Sequence, residues 1–204
     1  MEFDPSAQLN MTNAIGALIA LVTGGGLLKL FESGVKWNDS RLRNKLPNVL
    51  KTVDKIYGAM HELLRNSPAD RILLVICTNG GGIPSAGKPL YSTILREVSD
   101  QLSPAAAKWG KRMLDEQHTK VITEMLDVGR VQLITDKMPD GELKTLYMSE
   151  GIWGSDVVLL HKGKLGLHYL TVNYTHEPAD ANYMYEAKLD QAVSRLQELV
   201  PRID

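Results

Sequence analysis

The residues most suggestive of chemistry form a glycine-rich segment that ends in a lysine. Residues 82–88 read GIPSAGK, which fits the GxxxxGK spacing of a phosphate-binding loop, and they follow an apolar run at 72–77, where such a loop belongs. However, Pro89 stands where a hydroxyl residue would bind Mg²⁺, and Pro84 lacks a backbone N–H that phosphate groups need. The segment is therefore interpreted as a turn between strands, and an NTPase that uses residues 82–88 is the remote alternative.

The remaining reactive residues do not combine into an active site. The five histidines form no HxxxH pair, Cys77 is the only cysteine, and no GxSxG sequence is present. The neighbouring carboxylates Asp115 and Glu116 have basic neighbours, which is typical of a solvated helix face. We therefore expect no enzyme activity, no metal and no cofactor. The net charge of −1 and the lack of basic clusters interleaved with aromatic residues argue against nucleic acid as a partner.

The order of the hydrophobic patterns predicts one α+β domain at residues 41–204. Strands are expected at 72–77, 90–98, 131–135, 143–148, 157–161 and 166–173, and helices at 41–65, 103–129 and 180–200. Lys162-Gly163-Lys164 separates the last two strands and predicts a hairpin. Because several strands follow one another without intervening helices, we expect an antiparallel sheet with its helices on one face.

Residues 1–40 predict a separate hydrophobic helix with a polar joint. No charge occurs from residue 14 to 28, and the apolar character extends over residues 11–31, long enough to span a bilayer. Gly16, Ala20 and Gly24 recur every four residues, a spacing that lets helices approach closely. Basic residues follow the segment, so a cytoplasmic domain on the inner membrane is expected. Insertion in lipid and packing within a larger protein assembly, such as a virion, both remain open.

The helix expected at 41–65 carries a heptad seam, whose apolar residues alternate in steps of four and three. These are Leu46, Val49, Val53, Ile56, Met60 and Leu63. Further apolar residues run beside the seam, so the helix is wide enough to serve two surfaces. One is the domain's own sheet, and the other is the same helix of a second copy. The seam therefore predicts a homo-oligomer.

The stretch from Arg71 to Glu97 resembles the small GAF-like domains of membrane-anchored bacteriophage and prophage proteins. In those domains an aliphatic strand leads to a His-Asn-Gly-Gly turn, and here Thr78 replaces the histidine before Asn79-Gly80-Gly81. The pattern VVLLHKGKLGLHYLTVNY at 157–174 resembles their terminal hairpin, and TGGGLLKL at 23–30 resembles a phage anchor. The resemblance implies a GAF/PAS-like antiparallel sheet. Asn79, Gly80, Gly81 and Gly82 are expected to form a structural turn.

Two functional hypotheses follow from these patterns. The first is a non-enzymatic structural or interaction module of phage type, anchored or assembled through its N-terminal helix. The alternative is a sensor domain that binds a small ligand and signals through the helix at 41–65, since GAF-like domains bind ligands beneath their sheet. The resemblance identifies no ligand and no ligand-binding residue.

Overall fold

The computed structural model describes residues 26–79, 88–100, 105, 110–178 and 183–204, with side chains from Leu46 onward except at 183 and 184. The chain divides after Leu50 into two units, and the sheet belongs to the unit at residues 51–204. The predicted small-residue face at Gly16, Ala20 and Gly24 lies outside the described residues.

Six strands form one antiparallel sheet in the order β3-β2-β1-β6-β5-β4. They are β1 (Arg71–Thr78), β2 (Tyr91–Ser99), β3 (Lys111–Met113), β4 (Arg130–Ile134), β5 (Gly154–Lys162) and β6 (Leu167–Tyr174). The central strands β1 and β6 are buried along nearly their whole length, since both faces of the sheet are covered. The hairpin predicted at residues 162–164 joins β5 to β6.

In the described parts of the chain four helices accompany the sheet: α1 (Gly26–Arg65), α2 (Glu116–Val128), α3 (Glu142–Ser149) and α4 (Tyr183–Leu199). Asp115 caps the start of α2, where its side chain accepts a hydrogen bond from the backbone N–H of His118. Gly129 ends α2 in the left-handed conformation at φ 83°, as helix-terminating glycines commonly do. Short 3₁₀ turns follow β4 and α4, at Thr135–Lys137 and Val200–Arg202.

Alternate residues of each strand serve two separate cores. Ile72 and Leu74 of β1 pack with Met60 of α1 and with α4, whereas Leu73 and Val75 pack with α2 on the other face. A third cluster, which includes Leu143 and Tyr147, places α3 beside α2. The prediction that the helices share one face is therefore wrong, because both faces of the sheet are apolar and each requires a cover.

Two predicted elements also differ from the structure. The expected strand at 143–148 is helix α3, because Leu143 and Tyr147 are spaced to bury one helical face. The helix expected at 103–129 is not continuous. Residues 111–113 form β3, which pairs with β2, and α2 begins only at Glu116.

The predicted transmembrane helix, and the inner-membrane location that depended on it, are corrected. Among the described residues, no helix combines the length and the apolar composition that crossing a bilayer requires. Helix α1 has 40 residues, but charged side chains such as Lys29, Glu32 and Lys36 interrupt its apolar stretches.

Candidate functional site

A cavity of about 120 Å³ lies on the α2 and α3 side of the sheet. Its wall is mostly apolar, with strand residues from β1, β4, β5 and β6 forming one side and helix residues from α2 and α3 the other. Representative lining residues are Leu73, Val75, Ile122, Leu133, Tyr147 and Val157. A recess lined by apolar side chains with a few polar groups is the usual form of a small-molecule site.

One polar end of the cavity contains a buried ion pair. Nη1 of Arg71 lies 3.2 Å from Oε2 of Glu150, and both side chains are almost fully buried, at 3% and 5% exposure. Asn173 lies at the same end, and its Oδ1 accepts a hydrogen bond of 2.7 Å from the Ser155 hydroxyl. Each of these side chains thus makes a polar contact within the protein.

At another part of the wall, His118 lines the cavity and Asp115 holds its ring. Nδ1 of His118 lies 2.8 Å from Oδ1 of Asp115. Burial lowers the pKa of His118, and this outweighs the opposing effect of the Asp115 carboxylate. The ring is therefore neutral near pH 7. Since a carboxylate only accepts hydrogen bonds, the single ring proton is on Nδ1, and Nε2 is an unprotonated acceptor.

Arg112, from β3, is a second basic residue of this wall. Its Nη2 lies 3.5 Å from Oε2 of Glu142, at the start of α3. Both arginines that line the cavity therefore have a carboxylate partner within the domain.

The opposite face of the sheet carries a buried polar cluster around Asp156. Its Oδ1 accepts hydrogen bonds from Nε and Nη2 of Arg130, at 3.1 and 2.9 Å. Its Oδ2 accepts from the hydroxyls of Tyr174 and Tyr185, which also contact each other. Arg130 continues to Glu186 of α4, at 2.6 Å. The cluster joins α4 to the sheet and lies away from the cavity.

A second cluster lies where β5 turns into β6. His161 and His168 have ring centroids 6.0 Å apart, and each ring approaches the Asp204 carboxylate, at 3.8 and 4.0 Å. Asp204 also accepts hydrogen bonds from the backbone N–H groups of Lys164 and Leu165. Burial lowers the pKa of His168. Within the described parts of the chain, no group of three or more such side chains is arranged to hold a metal ion.

The structure divides the predicted heptad seam into two parts. Ile56, Met60 and Leu63 are buried in the domain's own core, at 0%, 0% and 2% exposure. Val49 and Val53 are half-buried, and Leu46 is 57% exposed. The C-terminal part of the seam thus packs against the sheet and α4. Of the described seam residues, only those in the N-terminal part leave apolar surface exposed.

The loop that resembled a phosphate site is followed by a strand. Lys88 is exposed, and the chain enters β2 at Tyr91, whereas a phosphate-binding loop leads into a helix. Asn79 ends β1 and is half-buried, while Gly80, Gly81 and Gly82 of the predicted turn lie outside the described residues.

The sheet order, the buried central strands and the helices on both faces define a GAF fold, in agreement with the resemblance seen in the sequence. Solved structures that share it include the phycocyanobilin-bound GAF domain of a cyanobacterial phytochrome, 12% identical with a TM-score of 0.53 over 81% of this chain and 94% of that one. A far-red cyanobacteriochrome photoreceptor is 13% identical, with a TM-score of 0.53 over 87% and 99%. A GAF domain region from Geobacter sulfurreducens PCA is 15% identical, with a TM-score of 0.52 over 78% and 97%. No family model and no curated protein matches the chain.

The predicted bacteriophage or virion origin is wrong. The similar solved structures include photoreceptor domains, and nothing in them points to a phage protein. The stretch that suggested a phage origin, from Arg71 to Glu97, contributes the paired strands β1 and β2 of this fold.

The residues around the cavity were not recognised in the sequence. The pair Asp115 and Glu116 was interpreted as a solvated face, yet Asp115 is the cap of α2 and the partner of His118. The spacing Asp-x-x-His directly before an apolar helical pattern was the available signal, since a capping carboxylate reaches the residue three positions later.

Proposed function

We propose that this chain is a sensor domain that binds a small, mostly apolar molecule in the cavity between the sheet and α2 and α3, and signals through α1. The observation that carries the proposal is the cavity itself, lined by apolar side chains and a few fixed polar groups in a GAF fold. The phytochrome domain with this fold is bilin-bound. A cavity of about 120 Å³ favours a much smaller ligand here.

Strand β1 supports the signalling part of the proposal. Leu73 and Val75 line the cavity, while the intervening Leu74 packs in the same core as Ile56 and Met60 of α1. A ligand that displaces the first pair therefore acts on a strand whose other side contacts the helix. Packed cores transmit such displacements because they are dense and resist compression.

Pairing of two copies along α1 is a further part of the proposal. The exposed Leu46 and Leu50, 57% and 59% accessible, favour it. A second copy that covers these two leucines would form a dimer with the first. A displacement of α1 in one copy would then be passed to α1 of the other copy. Sedimentation of the wild type beside a variant with both leucines changed to Ser tests this, and a wild type that stays monomeric contradicts it.

A thermal-shift screen with small apolar and amphipathic molecules tests ligand binding. A ligand at a hundred times its Kd should stabilise the domain by about 2.7 kcal/mol, which raises the Tm by roughly 5–10 °C. Val157→Phe fills part of the cavity and should abolish the shift. Val128→Phe makes the same change at a side chain that is 65% exposed on α2, and it should retain the shift. A hit that persists in Val157→Phe would place the ligand elsewhere.

A further inference from the structure

The polar groups of the cavity wall restrict the chemistry of its ligand, and this inference rests on the proposed function. Arg71 is paired with Glu150, and Arg112 with Glu142. The buried charge of Arg71 is thus balanced by the equally buried Glu150, while the Arg112 guanidinium lies 3.5 Å from a Glu142 carboxylate whose side chain is 74% exposed. An anionic ligand would have to compete with those carboxylates, so the wall favours a ligand without charge.

His118 provides a different kind of group. The bond to Asp115 fixes the ring and directs the proton to Nδ1, and among the described residues the ring has no other hydrogen-bond partner. Its side chain is 14% exposed and belongs to the cavity lining. The group that His118 offers to a ligand is therefore the lone pair of Nε2, a hydrogen-bond acceptor in mostly apolar surroundings.

The volume limits the size of the ligand. An apolar protein cavity of roughly 150 Å³ holds benzene. The cavity here is slightly smaller, at about 120 Å³. It therefore accommodates a ligand about the size of benzene, and a ring with one added heavy atom is at the upper limit of the cavity.

We propose that the ligand is a small neutral molecule whose apolar body fills the cavity and whose single hydroxyl or N–H group donates a hydrogen bond to Nε2 of His118. Phenols and short alcohols are the chemical classes that fit this description. The acceptor determines the orientation of the ligand, and the apolar wall supplies most of the affinity.

Phenol and toluene are suitable probes, since they have the same number of heavy atoms and differ in the donor group. Calorimetric titration of both into the wild type, His118→Leu and His176→Leu gives the affinity ratio of the two probes in each protein. His176 is exposed and lies outside the cavity lining, so its variant is the matched control. We expect His118→Leu to weaken phenol relative to toluene by roughly 5- to 10-fold, and His176→Leu to leave the ratio unchanged.

A pH titration of the wild type tests the same bond without any substitution. Protonation of His118 removes the acceptor, so phenol binding should weaken toward acid pH while toluene binding stays constant. Neither probe ionises between about pH 5 and 8. The titratable or charged groups that act on the ring are Asp115, Arg112 and Glu142.

If His118→Leu weakened the binding of phenol and toluene by the same factor, the proposed hydrogen bond from the ligand to His118 would be wrong. The sensor proposal would remain intact, because the cavity would still bind both probes. Benzoate binding more tightly than phenol would show that the site prefers an anion, and would also overturn the proposed hydrogen bond. If none of the three probes binds the wild type, the ligand class is wrong, and the broader thermal-shift screen decides separately whether the domain binds any ligand.

Discussion

Replacing Asp156 tests whether the polar cluster under α4 holds that helix on the sheet. The carboxylate is 1% exposed and accepts four hydrogen bonds, two from Arg130 and one each from Tyr174 and Tyr185. In Asp156→Leu, Arg130 keeps its pair with Glu186 and is not left without a carboxylate. The two tyrosine hydroxyls can still bond each other, so one donor is stranded in the core.

The expected decrease in the free energy of unfolding follows from these lost hydrogen bonds. A stranded buried hydroxyl costs about 1–3 kcal/mol, and the lost bonds to a charged partner cost about 1–2 kcal/mol more because Arg130 is partly exposed. Asp156→Leu should therefore lower the free energy of unfolding by about 2–5 kcal/mol. Burial raises the pKa of Asp156, although Arg130 opposes the shift. Asp156→Asn, which resembles the protonated acid and keeps one acceptor, should cost only about 1–2 kcal/mol.

Urea unfolding followed by tryptophan fluorescence measures both variants. With a slope of about 2 kcal/mol per molar urea, the midpoint should fall by roughly 1–2.5 M for Asp156→Leu and by roughly 0.5–1 M for Asp156→Asn. Asp140→Asn, a carboxylate that is 97% exposed, is the control and should not move the midpoint. The reasoning fails if Asp156→Leu unfolds at the wild-type midpoint, or if Asp156→Asn is the less stable of the two variants.

Three other substitutions test the remaining packing and charge assignments. Met60→Ala should cost about 2–5 kcal/mol in urea unfolding because the side chain is fully buried, whereas the exposed Leu46→Ala should leave monomer stability unchanged. The free energy of unfolding of the wild type should fall as the pH drops below about 6.5. Burial lowers the pKa of His118 and His168 in the folded state, so the unfolded state binds more protons in this range. His118→Gln should reduce this pH dependence. Gly166→Ala should destabilise by about 2 kcal/mol or more, measured by thermal unfolding, because a Cβ there would overlap the backbone of β1.

A strand of this domain was predictable where its pattern of apolar residues matches the faces of the sheet that are covered. Residues 72–77 are continuously apolar because β1 is covered on both faces, and that run gave a correct strand. The segment at 143–148 misled because Leu143, Leu146 and Tyr147 fit short strand and short helix patterns alike. In the helix both Leu143 and Tyr147 are buried beside Val121 of α2, a contact between distant residues that no local pattern contains.

The cavity was not predictable from the sequence for a different reason. Its lining residues extend from Arg71 to Asn173, and Leu73 or Val157 alone is an ordinary core residue. A cavity is a property of how side chains fail to fill a space, so it appears only when the elements are assembled. The heptad seam was predictable only in part for the same reason. Spacing identified its apolar residues, but only the structure shows that Met60 is buried in the domain's own core and that Leu46 is exposed.

The arrangement of the sheet limits how a bound ligand can act. The cavity and the α1 residues Ile56, Met60 and Leu63 lie on opposite faces of the sheet, and none of the described α1 side chains lines the cavity. A signal must therefore cross the sheet, and β1 is the strand whose alternate residues contact both sides. The β1–β2 register shifts between Leu74 and Val75, where cavity-facing and helix-facing residues adjoin. Such an irregularity leaves a residue unpaired and locally disrupts the ladder of hydrogen bonds. If the sensor proposal is right, ligand binding should change amide exchange at this irregularity and in α1 together. Protection confined to α2 and α3 would instead describe a binding domain that does not signal through α1.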